Sequence, residues 1–215
     1  SQDSTFTARL VDKVGVWIVP VFNVDGYIYS WTTDRFWRKN RRNNGNNIFG
    51  VDLNRNYDKA WGGAGSSGVT SSETYRGPSA ASEPELQSLK AFAATLPPLL
   101  GFIDFHTYAG DILYPWSYTT TSAPAADVTI FSTVGNAIKN AILARAGTNY
   151  QVGQGGGILY LAAGASKDYF YDTYHIPAYT IEIAGTQFDP PPTTITPSQD
   201  DVWVGFKAFI EAVAP

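Results

Sequence analysis

The sequence predicts an α/β fold, because strand-like and helix-like segments alternate along the chain. The first apolar run, residues 14–22, is rich in β-branched and aromatic side chains, as expected of a strand buried on both faces. Shorter apolar runs at residues 99–105 and 177–183 predict two more strands. No repeat or linker interrupts the pattern, so we expect one domain over residues 1–215.

Capping and helix-breaking residues mark the predicted helices. Ser82 followed by Glu85 predicts a capping box, and Pro97 ends the helix that it opens. Further helices are predicted at residues 128–146, 165–174 and 200–213. Turn-forming or Gly-, Asn-, Ser- and Pro-rich stretches predict loops at residues 23–26, 43–47, 56–77 and 189–197, and residues 154–157 are glycine-rich.

Composition excludes several classes of protein. With 44% hydrophobic and 16% charged residues the chain is not of the disordered type, and without cysteine it has neither a disulfide framework nor a thiolate zinc site. A net charge of -4 gives no general attraction to nucleic acid or to anionic membranes. Because the chain starts at Ser1 and contains no Met, we expect it to be processed from a longer precursor.

Two candidate functional residues lie in predicted strands, whose ends carry the sites of α/β proteins. His106 lies in the segment 104–108 at the end of a buried strand, where it suits a metal ligand, a base or a structural histidine. Glu182 lies inside an apolar strand, where burial is costly unless the carboxylate is paired or used. Burial would also raise its pKa toward the range of a general base.

Two further clusters are polar and basic. Asn54 and Arg55, in the segment 51–56, suit either a carboxylate clamp or a hydrogen-bonded loop. The segment 35–42 interleaves five cations with aromatic residues, which suits nucleic acid or, more simply, a solvated surface.

Taken together and in order, these clusters resemble the zinc metallocarboxypeptidases of the carboxypeptidase A and B type. The matching motifs cover nearly all of the chain and are FNVDGY, RFWRKNRR, VDLNRNY, SETYRG, DFHTYAGDILYPWSY, ILYLAAGASKDY and YTIEI. The resemblance implies a three-layer α/β/α sandwich around a mixed, twisted sheet, incomplete at its N-terminal side. It also implies a secreted, extracellular enzyme that uses Zn²⁺ to release single amino acids from the C-termini of peptides and proteins.

The resemblance assigns roles to individual residues. His106 resembles a zinc ligand, and Asp52 the carboxylate that orients another zinc-binding histidine. Glu182 resembles the general base and Arg38 the residue that stabilises the oxyanion. The substrate-binding residues implied in this way are Asn54, Arg55, Tyr160, Tyr108, Lys167, Ser117 and Thr180.

The chain departs from the family at several places. The family's other two zinc ligands belong to an H-x-x-E motif, which this sequence lacks. We therefore expect the chain to be the C-terminal portion of a catalytic domain and to be inactive alone. Its expected partner is the missing segment, either in the same polypeptide or as a separate chain. His175 matches no ligand and is expected to be structural, while Ala184 and Gly185 replace a charged pair common in the family. Ile48 and Ser71 replace a common disulfide.

Lys167 suggests which residue is released. It lies seven positions after Tyr160, where the family has the base of its specificity pocket. An ammonium there would attract carboxylates and repel cations, which predicts a preference for C-terminal Glu or Asp over Phe or Arg. The small residues expected to leave room are Ala162, Ala165, Ser117 and Thr180. Alternatively, Lys167 begins an exposed helix and points to water.

Two rival functions remain open. A non-catalytic module could bind peptide C-termini through Asn54, Arg55 and Tyr160, although binding alone does not need Glu182. Nucleic-acid binding through the basic run would show a steep dependence on salt. We expect neither nucleic acid nor a membrane as a partner.

Overall fold

A computed structural model of the chain describes residues 13–214, which form a four-stranded sheet with helices. The strands are β1 (Phe102–Thr107), β2 (Asp111–Tyr114), β3 (Gln151–Gln154) and β4 (Ala178–Ile183). The helices of the described residues are α1 (Val24–Thr32), α2 (Pro84–Thr95), α3 (Ala125–Ala146), α4 (Gly155–Ile158), α5 (Ser166–Tyr174) and α6 (Ile195–Val213). Short 3₁₀ turns occur at Leu53–Arg55 and Pro192–Thr194.

The sheet is mixed, as the sequence predicts, with the strand order β1-β4-β2-β3. β1 pairs with β4 in parallel, β2 pairs with β3 in parallel, and β2 runs antiparallel to β4. β4 is therefore a central strand, and β1 forms one edge of the sheet within the described residues.

Two apolar clusters cover the two faces of the sheet. On one face, α3 and α6 pack against Ile112, Tyr179 and Ile181. On the other, α2 and α5 gather around Ala178 and the partly buried Phe102. Successive residues of a strand point to opposite faces, so β4 contributes to both clusters and the layers are helix, sheet and helix. The predicted α/β fold is confirmed.

The predicted strand at residues 14–22 is wrong. No strand occurs between residues 13 and 22, and large apolar side chains such as Trp17 (47% exposed) and Ile18 (73% exposed) face solvent. A strand requires a neighbour to take up its backbone N–H and C=O groups, and none of the described strands pairs with this segment. Its composition predicts burial, but among the described residues only its ends, Val14 and Phe22, pack against the apolar clusters.

The predicted capping box of α2 is also wrong. The N-cap residue is Glu83 rather than Ser82, and no side chain caps the helix. The Ser82 hydroxyl instead donates to the Glu83 carboxylate and accepts a hydrogen bond from Asn56. Pro84 opens the helix at a position where its missing N–H is not needed.

Two predicted loops and one glycine-rich stretch contain regular structure. The turn predicted at residues 23–26 begins α1, because the Asn23 side chain accepts a hydrogen bond from the Gly26 amide and caps the helix. The glycine-rich stretch at 154–157 forms most of α4, and α6 begins at Ile195 within the stretch predicted as a loop. None of the helices in the described part is long and apolar enough to cross a membrane.

Candidate active site

The parallel register of β1 and β4 brings four polar residues to one face of the sheet. Asp104 lies opposite Thr180, and His106 lies opposite Glu182. Because side chains two residues apart share a face, all four belong to the same side. A cavity of about 270 Å³ lies over it. Every predicted site residue except Asp52 lines this cavity, together with Thr107, Leu113, Gly155, Leu159, Ala162, Ala165 and Phe188.

His106 is held by a carboxylate on its own strand. Its Nε2 lies 3.2 Å from Asp104 Oδ2, which leaves Nδ1 as the other nitrogen able to bind a ligand. Burial by itself would lower the pKa of His106, but the charge of Asp104 and the hydrogen bond to it, with Glu182 nearby, raise the pKa above its usual value. The imidazole therefore lies close to two carboxyl groups, while the positive charge of Arg38 opposes their effect on its pKa.

The described residues supply only part of a metal site. Among residues 13–214 there is no group of three His, Cys, Asp or Glu side chains that could hold a metal ion. His106 fits one corner of a zinc site, since imidazole is a preferred zinc ligand and its other nitrogen is already engaged. A complete site would need ligands from outside the described residues.

Glu182 lies beside His106, largely withdrawn from solvent. Glu182 is 9% exposed and lines the cavity. Burial raises its pKa above the usual range, even though the positive charge of neighbouring His106 works against the rise. A carboxylate in this condition binds a proton more readily than an exposed one, which suits a general base.

Arg38 is anchored by Asp52. Both Arg38 Nε (3.0 Å) and Nη2 (2.8 Å) donate to Asp52 Oδ2, and the backbone N–H of Asn54 donates to Oδ1. The anchored guanidinium still lines the cavity, so it presents a fixed positive charge there. The predicted role of Asp52, orienting a second zinc-binding histidine, stays a prediction, since within the structure its carboxylate holds Arg38.

Asn54 and Arg55 are held in place by hydrogen bonds to the backbone. Arg55 is buried, and its Nε and Nη1 donate to the carbonyl oxygens of Gly65 (2.8 Å) and Asn54 (2.7 Å). Asn54 Oδ1 accepts from the Ser166 amide at 2.8 Å, which orients the Nδ2 donors away from that amide. Tyr160 is half-exposed, and its ring centroid lies 5.9 Å from the Arg55 guanidinium.

Lys167 lines the cavity and does not point to water. It is 4% exposed, and its Nζ lies 3.5 Å from Thr180 Oγ1. Burial lowers its pKa, although Asp168 and other nearby carboxylates oppose this. No carboxylate of the described residues lies within 4.0 Å of its Nζ, so the ammonium has no ion-pair partner inside the protein.

Gly155 makes room for this lysine and was not identified from the sequence. A Cβ at Gly155 would lie 3.1 Å from Lys167 Nζ and 2.9 Å from Ser117 Oγ. Any side chain there would therefore displace the ammonium or the hydroxyl. The glycine-rich stretch at residues 154–157 is the only signal in the sequence, and it does not indicate a pocket wall.

Asp168 joins two walls of the cavity, and nothing in the sequence around it indicates a role in the site. Its fully buried carboxylate accepts hydrogen bonds from the backbone amides of Ser117 (2.8 Å) and Tyr118 (3.2 Å). Burial raises the pKa of Asp168 to about 6, although Lys167 and the two amides oppose the rise. The start of α5 and the segment after β2 are thus fixed to each other.

The remaining predicted residues lie around or outside this cavity. Tyr108 packs edge-on against Phe188, with ring centroids 4.8 Å apart. His175 ends α5 in a left-handed conformation and does not line the cavity. The five cations of the basic run all contact groups of the same chain: Arg35 with Asp189, Arg38 with Asp52, Lys39 with the Thr70 carbonyl, Arg41 with aromatic rings and Arg42 with Glu83.

Comparison with known proteins identifies the family that shares these features. The family profile described as zinc carboxypeptidase matches residues 2–205. Carboxypeptidase O of Bos taurus is 38% identical over 184 residues, which are 85% of this chain and 48% of that protein. Carboxypeptidase O of Homo sapiens is 36% identical over 218 residues, which are 99% of this chain and 58% of that protein. The chain thus spans about half the length of these relatives.

Solved structures show the same fold. The crystal structure of thrombin activatable fibrinolysis inhibitor superposes with a TM-score of 0.89 at 32% sequence identity, covering 97% of this chain and 53% of the other. Carboxypeptidase A from Helicoverpa armigera superposes with a TM-score of 0.81 at 30% identity, covering 91% and 50% respectively.

We predict that Asp168 makes stability depend on pH. A carboxyl group whose pKa is about 6 when folded and near 4 when unfolded binds its proton more tightly in the folded state. The protonated group therefore favours folding below pH 4, and this contribution, on the order of 3 kcal/mol, is lost as pH rises through 6.

Denaturant unfolding of the protein and of Asp168→Asn at pH 4 to 7 tests this. The free energy of unfolding of the variant should rise relative to that of the unmodified protein as pH increases. A difference that does not change with pH would show that Asp168 stays ionised throughout.

Proposed function

Because this chain belongs to the zinc carboxypeptidase family, we propose that its cavity binds the C-terminal residue of a peptide and that the complete site releases this residue by hydrolysis. The observation that carries the proposal is the pairing of His106 with Glu182 in the same cavity as the Asn54–Arg55 clamp. A potential metal ligand, a carboxylate base and an anion site thus lie together. The 215 residues are proposed to be the C-terminal portion of one catalytic domain.

His106 is proposed as one of the zinc ligands. The others come from residues outside those that the structure describes, either in the same polypeptide or in a separate one, so this chain alone is expected to be inactive. A bound zinc ion supplies a Lewis acid and a water whose pKa is lowered toward 7. The other parts of the reaction belong to residues described above.

Glu182 and Arg38 are proposed to act on the scissile peptide bond. Glu182 accepts a proton from the attacking water and later delivers it to the leaving nitrogen, which its raised pKa favours. Arg38 faces the developing negative charge on the carbonyl oxygen. Since Asp52 already fixes the guanidinium, little reorganisation is needed as that charge appears.

The Asn54–Arg55 clamp explains why only a terminal residue would be accepted. Arg55 keeps one arm of its guanidinium for a ligand, and a guanidinium matches the fork geometry of a carboxylate. An internal peptide bond has no free carboxylate and cannot satisfy these donors. Tyr160, half-exposed beside Arg55, is placed to cover a bound residue.

Lys167 is proposed to select acidic side chains. Its buried ammonium has no ion-pair partner in the described residues, so a Glu or Asp side chain would supply the missing counter-charge. A cationic side chain would be repelled, and an apolar one would leave the ammonium unpaired. The small Gly155 and Ser117 leave space for such a side chain. We also propose an extracellular location, which rests on the family resemblance alone.

A module that only binds peptide C-termini is less well supported. The clamp residues would serve it equally, but a buried carboxylate beside an imidazole adds nothing to the binding of an anion. Glu182 in fact places a negative charge in the cavity that must receive the peptide terminus.

We predict that Glu182→Gln in the complete enzyme, which includes the remaining zinc ligands, retains zinc but loses turnover by about 10²- to 10⁴-fold, because an amide keeps the shape of the side chain and cannot accept the proton. Metal content and kcat of the zinc-loaded protein are the measurements. Asp111→Asn is the matched control, since Asp111 lies opposite Glu182 on β2 but does not line the cavity. Near-normal turnover in Glu182→Gln would refute its role as the base.

Arg38 and Arg55 should give different kinetic signatures when replaced. Arg38→Ala should mainly lower kcat, because the charge that it stabilises develops in the transition state. Arg55→Ala should mainly raise KM, because the carboxylate is already bound in the ground state. Steady-state kinetics on one peptide substrate separate the two, and identical changes in both variants would contradict this division of roles.

We predict that the protein releases C-terminal Glu in preference to Phe or Arg. Hydrogen bonds to charged groups contribute about 1.5–3 kcal/mol, so kcat/KM should favour Glu over Phe by roughly 10- to 100-fold. Lys167→Ile should reverse this ranking, whereas Lys90→Ile, which removes a lysine outside the cavity, should not. Peptides that differ only in their last residue are the substrates. If the unmodified protein prefers Phe, Lys167 is not the selector.

A further inference from the structure

Asp104 does not line the cavity, but its contacts connect His106, Asn54 and the start of α5. Its Oδ2 lies 3.2 Å from His106 Nε2 and also accepts a hydrogen bond from the Ser166 hydroxyl. Ser166 in turn donates its backbone N–H to Asn54 Oδ1 at 2.8 Å and directly precedes Lys167. One carboxylate therefore links the imidazole, the anion clamp and the first turn of α5.

The contact with His106 decides which ring nitrogen is available. A neutral imidazole carries one N–H and one lone pair, and an anionic carboxylate can only accept. The 3.2 Å contact therefore requires the N–H on Nε2, which leaves the lone pair on Nδ1. Metal-binding histidines usually donate their other ring N–H in this way, and the partner fixes both the tautomer and the orientation of the ring.

The surroundings of Asp104 give little other reason for a carboxylate at this position. Its Oδ1 is buried and has no hydrogen-bond partner among the described residues. A buried carboxylate is expensive unless it is paired, so a position that served packing alone would favour an apolar or neutral residue. The contacts of Oδ2 with His106 and Ser166, together with the neighbouring Thr180 side chain, are the compensation that the structure provides.

We propose that Asp104 is a positioning residue that holds His106 as the Nε2–H tautomer, with Nδ1 directed to the metal, and that Ser166 holds Asp104 in turn. The proposal rests on the proposed function, in which His106 binds zinc. It adds a residue that acts through His106 and contacts neither the substrate nor the metal. Ser166 also contacts Asn54 and begins α5, which carries Lys167. The same interaction therefore sets the position of the metal ligand relative to Asn54 and to the start of α5.

Nitrogen NMR of the metal-free protein tests this directly. The spectra are recorded at a pH high enough for the imidazole to be neutral, and a His106→Gln variant assigns the signal. The unmodified protein should show His106 as the Nε2–H tautomer. Asp104→Asn, which has nearly the same shape, should show a mixture of tautomers because the amide can donate as well as accept. A His106 that is predominantly Nδ1–H in the unmodified protein would overturn the proposal without any variant at Asp104.

Zinc affinity of the complete enzyme, which includes the remaining zinc ligands, gives the second readout and is measured by competition with a chelator. Asp104→Asn should weaken zinc binding by about 10- to 100-fold, the usual effect of losing such a partner. Asp201→Asn is the control for the loss of a buried carboxylate, since Asp201 contacts Tyr150 and Thr148 away from the cavity and should leave the affinity unchanged. Ser166→Ala should preserve the tautomer of His106, because it removes only the other contact of Asp104.

The two readouts separate failure of this proposal from failure of the proposed function. If the unmodified protein binds no zinc at His106, the proposed function fails, and the tautomer still reports on Asp104. If zinc binds but a folded Asp104→Asn keeps both the tautomer and the affinity, the positioning role is wrong.

Discussion

The parallel register of β1 with β4 is the constraint on which the site depends. It sets His106 opposite Glu182 and Asp104 opposite Thr180, so that the imidazole and both carboxyl groups share one face. A slip of one residue would turn all side chains of one strand to the opposite face and separate them. The helices on the far side protect this register, because Tyr179 and Ile181 of β4 are buried against α3 and α6.

The start of α5 is the second fixed point, and it carries two buried charges with different surroundings. Asp168 is satisfied by two backbone amides and holds the cavity walls together. Lys167, its neighbour, has only the Thr180 hydroxyl at 3.5 Å and remains open to a ligand. Because burial disfavours both charged forms, an anionic side chain that enters the cavity improves the environment of the lysine.

The sequence predicted the parts of the site that are chemically distinctive. His106, Glu182 and the adjacent Asn54 and Arg55 could be chosen because their residue types are rare or costly in apolar strands and loops. Gly155, Asp168 and the role of Asp104 could not be, since each depends on contacts between distant segments. The short strands β2 and β3 have four residues each, too few for a clear alternation, and the apolar run at 14–22 predicts burial without showing what supplies it.

We propose that the β1–β4 face supplies one ligand, His106, to a zinc site whose remaining ligands lie outside the described residues. Crystallography of the zinc-loaded protein at the zinc absorption edge tests this most directly. We expect an anomalous peak from zinc about 2.0–2.1 Å from Nδ1 of His106, the usual length of a zinc–imidazole bond. Zinc bound at a distance from His106, with Nδ1 free, would contradict it.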